Sequence, residues 1–235
     1  MKLGQPKQYQ QGYTDFYKLK IKLTPDVLIP RPETELMVDF VLSATGNNSG
    51  PGFGSPVVIP EKETPFTVVD IGTGSGCIPI AIAKNSKNIK LIAIDTSEKA
   101  LGVAKKNAEF HHVAKKIFFV QNNLLKDFKQ SPDIITANLP YIPTARLMHI
   151  DPMVKDFEPR LALDGGYDGF ELYRELFAQM RNQQIKPRLF IGEIDDEQKD
   201  IALVEARRYF PGVKAEIVKD LAQKNRFIVL LFSEV

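Results

Sequence analysis

The run FTVVDIGTGSG at residues 66–76, followed at once by CIPIAIAK, places three glycines between an apolar stretch of strand length and one of helical character. Strand, glycine turn and helix in that order open a βα unit, and they fix the direction in which the rest of the chain can be wound. Four more apolar runs follow, KLIAID, IFFV, DIITAN and RLFIGEI, and helices predicted at residues 78–85, 97–110, 169–182 and 196–209 lie between or after them. Parallel strands joined through helices need right-handed crossovers. The pattern therefore predicts an α/β fold with a doubly wound sheet and a ligand crevice at the carboxyl ends of its strands. AEIVKD and FIVLLF close the chain with no helix between them, which predicts that the last strand returns antiparallel. The length of 235 residues suits one large domain, or a medium domain with a small appendage.

Ahead of that alternation, residues 16–23 (FYKLKIKL) set Tyr17, Leu19, Ile21 and Leu23 on one side, as a half-buried strand does, within a hairpin-like segment from about Gly4 to Pro30. The prolines of VLIPRP forbid a helix interior. ETELMVDFVL then sets Leu36, Phe40 and Val41 at helical spacing, predicting a helix from about Pro32 to Leu42. Residues 43–65 concentrate Gly, Pro, Ser and Asn and read as a flexible linker. The expected organisation is a hairpin and helix segment (1–42), a linker (43–65) and the α/β domain (66–235). With 31 Lys and Arg against 29 Asp and Glu, the net charge of +2 is not the dense basic face of a protein that lives on phosphate backbones, so no direct nucleic-acid contact is expected. No apolar stretch of signal length opens the chain and nowhere do about 18 apolar residues run together, so a cytoplasmic protein without membrane contact is expected. Cys77 is the single cysteine, which rules out an intrachain disulfide; His111, His112 and His149 add no metal-ligand set, and no metal is expected. Monomer is the default expectation.

The glycine turn admits a ligand close to the backbone, since glycine takes positive φ and has no Cβ in the way. A dinucleotide fingerprint needs its third glycine three residues after the second, and Cys77 stands there; no GxxxxGK sequence is present either. The second strand ends at Asp95, whose carboxylate can accept both hydroxyls of a ribose. A glycine loop and a ribose acid describe a nucleoside site. The spacing from Asp70 through Gly72, Thr73, Gly74, Ser75 and Gly76, with Asp95 after it, resembles the S-adenosylmethionine loop of the seven-strand methyltransferases. After the third strand such enzymes often carry an acid that holds the adenine amine; here Asn123, followed by Leu124, occupies that place with a neutral carbonyl acceptor.

The fourth strand runs into Asn138-Leu139-Pro140-Tyr141. An amide or aryl amine nitrogen that attacks a sulfonium methyl must have its hydrogens held and its lone pair aimed, because the displacement is in line. The Asn138 side-chain oxygen can accept one N–H, the Leu139 carbonyl can accept another, Pro140 stiffens the turn, and Tyr141 offers an apolar wall. Taken alone, the tetrad is equally a Pro turn at a strand end. It resembles the Asn-Pro-Pro-Tyr signature of amino methyltransferases acting on glutamine or adenine, with Leu139 in place of the first proline. Asn-Leu-Pro-Tyr also resembles the rRNA adenine dimethylases, so the tetrad leaves the substrate open.

Two other segments resemble the release-factor glutamine methyltransferases of the HemK/PrmC type: VLIPRPETE at residues 27–35, and FEPRLALDGGYDG at 157–169 followed by Tyr173-Arg174. Gly192-Glu193, Gln198 and KDLAQKNRFIVL follow in matching order, so the resemblance spans essentially the whole chain. It implies transfer of a methyl group from S-adenosylmethionine, leaving S-adenosylhomocysteine, to the side-chain amide nitrogen of the glutamine in the Gly-Gly-Gln motif of peptide chain release factors. Carried over by position, Asp70, the loop residues Gly72 to Gly76, Asp95, Asn123, Leu124 and Asn138 face the cofactor. Asn138, Leu139, Pro140 and Tyr141 face the glutamine, with Asn138, Pro140 and Tyr141 as the catalytic set. Set against the same resemblance, no counterpart of the family's separate N-terminal helical domain is expected, and the linker reads as enlarged. Rival readings are a nucleic-acid adenine amino methyltransferase and a cofactor-binding protein without turnover.

Overall fold

The computed structural model describes residues 4–47, 59–60 and 63–232. A short helix α1 (Lys7–Gln11) leads into an antiparallel hairpin of β1 (Tyr13–Phe16) and β2 (Leu19–Lys22). The alternation over residues 16–23 therefore belongs to a hairpin turn and its second strand, not to one continuous strand. Tyr17 and Lys18 have φ of 49° and 60°, the two-residue turn that matches strand twist. Pro32–Thr34 form a single 3-10 turn, and α2 (Glu35–Ala44) continues from it, close to the predicted helix. Glu35 accepts the Tyr17 backbone N–H at 2.8 Å and Asp39 accepts the Tyr17 hydroxyl at 2.6 Å, so α2 holds the hairpin by its turn. Most of the expected linker lies outside the described residues. Ile59 within it is buried and donates its N–H to the Ala44 carbonyl at 3.0 Å.

The remaining elements are β3 (Phe66–Ile71), α3 (Cys77–Asn85), β4 (Ile89–Asp95), α4 (Glu98–Phe110), β5 (Ile117–Gln121), β6 (Ile134–Ala137), α5 (Pro152–Lys155), α6 (Glu171–Asn182), β7 (Leu189–Glu193), α7 (Lys199–Tyr209), β8 (Lys214–Lys219) and β9 (Asn225–Leu231). All five expected parallel strands are present. The seven-stranded sheet has the order β5-β4-β3-β6-β7-β9-β8, parallel from β5 to β7, with β9 antiparallel to both of its neighbours as the missing helix implied.

Alternate strand residues feed two cores. Val68, Leu91, Ala93 and Ile191 pack with α2, α3, α4 and the hairpin, while Val69, Ile92, Ile94 and Phe190 pack with α6 and α7. Near-continuous apolar strands are what a sheet covered on both faces requires. The chain order reverses between β3 and β6, and at that point the carboxyl ends of β3, β4, β6 and β7 open a crevice. The hairpin is tied to this edge by Asn107 on α4, whose side chain exchanges hydrogen bonds with both backbone groups of Lys22 and donates to the Ser75 carbonyl.

Candidate active site

One half of the crevice is the glycine loop. Gly72, Gly74 and Gly76 have φ of 72°, 54° and 79°, which lets the chain turn sharply between β3 and α3. The Gly72 and Thr73 N–H groups donate to the Ile94 carbonyl at 2.9 Å, laying the loop across the end of β4. A Cβ on Gly72 would come within 3.2 Å of the Leu139 side chain, so loop and tetrad approach each other across the crevice. Asp95 ties the two loops: Oδ2 accepts the Gly74 N–H at 2.8 Å and Oδ1 accepts the Ser97 N–H at 2.9 Å. Each oxygen keeps a second lone pair for an incoming hydroxyl. Burial raises the Asp95 pKa, and the backbone N–H groups of Ser97, Gly74 and Thr96 oppose that rise.

Asp70 lies at the root of the loop, closed off from solvent. Its Oδ1 accepts the Thr136 hydroxyl at 2.7 Å, while Oδ2 and the nearby Thr73 Oγ1 are buried and meet the strict hydrogen-bond geometry with no group among the described residues. Burial pushes the Asp70 pKa up to about 7. Thr73 and Ser75 are buried too. On the far rim Asn123 is exposed and donates through Nδ2 to Glu175 at 2.9 Å, leaving its carbonyl oxygen open, and Leu124 beside it is buried at φ 52°. A bare glycine floor, a carboxylate with spare lone pairs, buried polar atoms beneath and a neutral acceptor on the rim fit a nucleoside.

The other half is the tetrad after β6. Asn138, Leu139 and Tyr141 line a cavity of about 220 Å³ together with Leu28, Arg31 and Ile142. Arg31 reaches it from the segment before α2 and is held by Glu158 at 2.7 Å. Pro140 sits in the turn behind this wall. The Gly165 backbone presses against it so closely that a Cβ there would lie 2.7 Å from the Pro140 carbonyl and 2.8 Å from the Tyr141 Cα, so the turn is braced by a residue without a side chain. The Gln198 side chain donates to the Tyr141 carbonyl at 2.9 Å, fixing the same turn from the other side.

Two groups that sequence reasoning did not place in the site complete it. Glu193, the last residue of β7, is 1% exposed; its Oε2 accepts the Thr34 hydroxyl at 2.6 Å and the Asn138 Nδ2 at 3.1 Å, and its Oε1 accepts the Tyr141 hydroxyl at 3.4 Å. The Asn138 Nδ2 also donates to the Thr34 Oγ1 at 3.2 Å. Asn138 thus spends its amino group on the protein, and its Oδ1 accepts from no group among the described residues. Burial raises the Glu193 pKa, opposed by the Thr34 bond and the charge of Arg226. The sequence signal for Glu193 was a carboxylate closing an apolar strand at the ligand-binding edge. Thr34, between two glutamates, carried none. Among the described residues no group of His, Cys, Asp and Glu could hold a metal ion.

Strand order, glycine loop and tetrad together define the seven-strand class of S-adenosylmethionine-dependent methyltransferases. The fold is shared with ribosomal protein L11 methylase from Lactobacillus delbrueckii subsp. bulgaricus (TM-score 0.56, 20% identity, 96% of this chain and 92% of that one). It is shared also with the N-terminal domain of human METTL16 in complex with SAH (TM-score 0.63, 18% identity, 93% and 77%). The family described as Ribosomal protein L11 methyltransferase (PrmA) matches residues 58–157. Higher sequence identity over nearly the whole chain is found with another group of proteins. Release factor glutamine methyltransferase of Thermodesulfovibrio yellowstonii is 34% identical and that of Bacillus cereus 33% identical, each across 96% of this chain and 76% of the relative. The chain belongs to the release factor glutamine methyltransferase family.

Proposed function

We propose that this chain transfers a methyl group from S-adenosylmethionine to the side-chain amide nitrogen of the glutamine in the Gly-Gly-Gln motif of peptide chain release factors. Beyond the family, the observation that carries this reading is the Asn138 carboxamide: with Nδ2 engaged by Glu193 and Thr34, the atom left for an acceptor in the adjoining cavity is Oδ1. When bound, the cofactor supplies an electrophilic sulfonium methyl and leaves as S-adenosylhomocysteine. The amide nitrogen gains the N–C bond as the S–C bond breaks, and it gives up one proton.

An amide nitrogen is a weak nucleophile because its lone pair is delocalised into the carbonyl. Holding its hydrogens in fixed directions aims what lone-pair density there is and draws electron density toward nitrogen. Asn138 Oδ1 takes one N–H and the Leu139 carbonyl the other, Pro140 keeps the turn rigid, and the Tyr141 ring walls the side chain in. The glycine loop, Asp95, Asn123 and Leu124 hold the nucleoside end of the cofactor, with Asp70, Thr73 and Ser75 shaping the loop from below. The acceptor is a release factor rather than a nucleic acid, and the enzyme works as a cytoplasmic monomer organised as an N-terminal segment (1–42), a linker (43–65) and the α/β domain (66–235), with Leu28 and Arg31 of the first reaching the acceptor cavity. Among the described residues no helix is long and apolar enough to cross a membrane.

The test is transfer of labelled methyl from S-adenosylmethionine to a purified release factor, beside a copy whose Gly-Gly-Gln glutamine is alanine and a structured RNA. Label on the unaltered factor alone is the expected result. Label on the RNA, or on no acceptor while the cofactor binds normally, would overturn the reading.

A further inference from the structure

We propose that Glu193 is a positioning residue which, through Thr34, locks the Asn138 carboxamide with Oδ1 toward the acceptor. The proposal rests on the glutamine-methylating reading and says what keeps that site in its working orientation. The oxygen and nitrogen ends of an asparagine side chain have nearly the same shape, so packing alone does not choose between them; the hydrogen-bond partners do. Both partners that face Asn138 are acceptors. A carboxylate can only accept, and the Thr34 proton is already given to Glu193 at 2.6 Å, so the Thr34 oxygen presents a lone pair to Asn138. Only Nδ2 can face such a pair. Turned round, Asn138 would put oxygen against oxygen on the inside and its NH2 against the N–H groups of the glutamine on the outside.

The three residues come from the turn before α2, from the end of β6 and from the end of β7, so the triangle closes only in the folded chain. A carboxylate that is 1% exposed is costly to keep charged, and here three side-chain donors and Arg226 offset that cost. The charged and titratable groups around it are Arg226 from β9, Glu33 from the 3-10 turn, Tyr141 after β6, Tyr173 from α6 and Cys77 at the start of α3. Tyr173 braces the same strand ends, its hydroxyl lying 2.6 Å from the Glu193 carbonyl and 2.9 Å from that of Ala137. Protonation of Glu193 removes its charge and one of its two acceptor oxygens, which weakens the lock, so turnover falls as pH drops through its pKa.

Glu193→Gln keeps the shape but removes the charge and leaves one acceptor oxygen, in place of two, to serve Thr34, Asn138 and Tyr141. We expect kcat to fall about 10- to 100-fold with cofactor Kd within twofold, and the acidic limb of the wild-type kcat profile to be absent from the variant. Thr34→Ser keeps the hydroxyl and should stay near wild type, whereas Thr34→Val should lose activity in the direction of Glu193→Gln. A readout independent of turnover is the side-chain NH2 signal of Asn138 in the 15N-labelled free protein, assigned by its loss in Asn138→Asp. It should be slow to exchange in the wild type, titrate with the midpoint of the acidic limb, and shift in Glu193→Gln. Wild-type activity with Glu193→Gln within twofold of it, or an unshifted Asn138 signal, overturns the proposal. A wild type that leaves the release factor unlabelled while the Asn138 signal still follows Glu193 overturns the acceptor assignment and leaves the lock standing.

Discussion

In the glycine loop, the backbone groups that hold Asp95 are near it in the chain: Gly74 meets Asp95 across 21 residues, and Asp95 meets Ser97 across two. On the acceptor side, Thr34 meets Asn138 across 104 residues, Asn138 meets Glu193 across 55, and Thr34 meets Glu193 across 159. The glycine loop and Asp95 belong to two adjacent βα turns, β3-α3 and β4-α4. The acceptor side exists only when the N-terminal segment has packed against the sheet, with Phe40 of α2 on Phe227 of β9 at 6.0 Å. Cofactor binding and acceptor orientation are therefore separable by mutation, and the two sides should fail in different ways.

The largest separation is expected at Asn138. Asn138→Ala removes the acceptor proposed for the glutamine N–H, and kcat should fall by about 10²- to 10³-fold while cofactor affinity stays within about threefold. Turnover kinetics beside calorimetric titration of S-adenosylhomocysteine check both. A comparable loss of cofactor affinity would break the division into two sides.

Asp70 tests whether the buried carboxylate at the root of the loop acts through stability. Its pKa stands at about 7 because burial penalises the charge, whereas an unfolded aspartate ionises near 4. Between those values the folded chain holds a proton that the unfolded chain has released, so this group makes stability fall as pH rises through that window. Asp70→Asn still accepts from Thr136 and cannot ionise. Relative to wild type, the variant should gain on the order of 4 kcal/mol between pH 4 and pH 8, measured by denaturant unfolding at each pH. A constant difference across that range would mean that folded Asp70 ionises where the unfolded residue does.

Asp95→Ala should weaken the cofactor about 10- to 100-fold, since it takes away a charged acceptor and frees the Gly74 and Ser97 N–H groups that the carboxylate fixes. Chemistry at saturating cofactor should change less than affinity. The reverse pattern would place Asp95 on the acceptor side.

The same contrast explains what could be read from the sequence. The five parallel strands were legible because a sheet covered on both faces needs short unbroken apolar runs, and the glycine loop because its strand and helix flank it directly. The hairpin turn at Tyr17-Lys18 was missed because neither residue carries the Gly or Asn signal that positive φ normally demands. The 3-10 turns at Thr144–Met148 and Arg160–Ala162 and the four-residue α5 are too short to show any period. Asn138 to Tyr141 stood out as a contiguous motif. Thr34 and Glu193, which orient it, share no local pattern with it, and only the folded sheet edge brings them together.

The smallest effect is expected on the exposed rim, and it sharpens the contrast from the cofactor side. Asn123 stands where related enzymes often carry an acid, and its Nδ2 is engaged by Glu175 at 2.9 Å. Asn123→Asp would offer the adenine amine a charged acceptor but would also set two carboxylates side by side in place of that hydrogen bond. At an exposed position both contributions are screened and each is about 0.2 to 1 kcal/mol, so they should nearly cancel. Cofactor Kd should change by less than about threefold, with any difference shrinking as salt is raised. A tenfold tightening would mean that the neutral Asn123 holds the cofactor loosely by design of this sequence. Recovering that affinity together with Glu175→Gln would then show that the neighbouring carboxylate, rather than the missing charge alone, sets the rim.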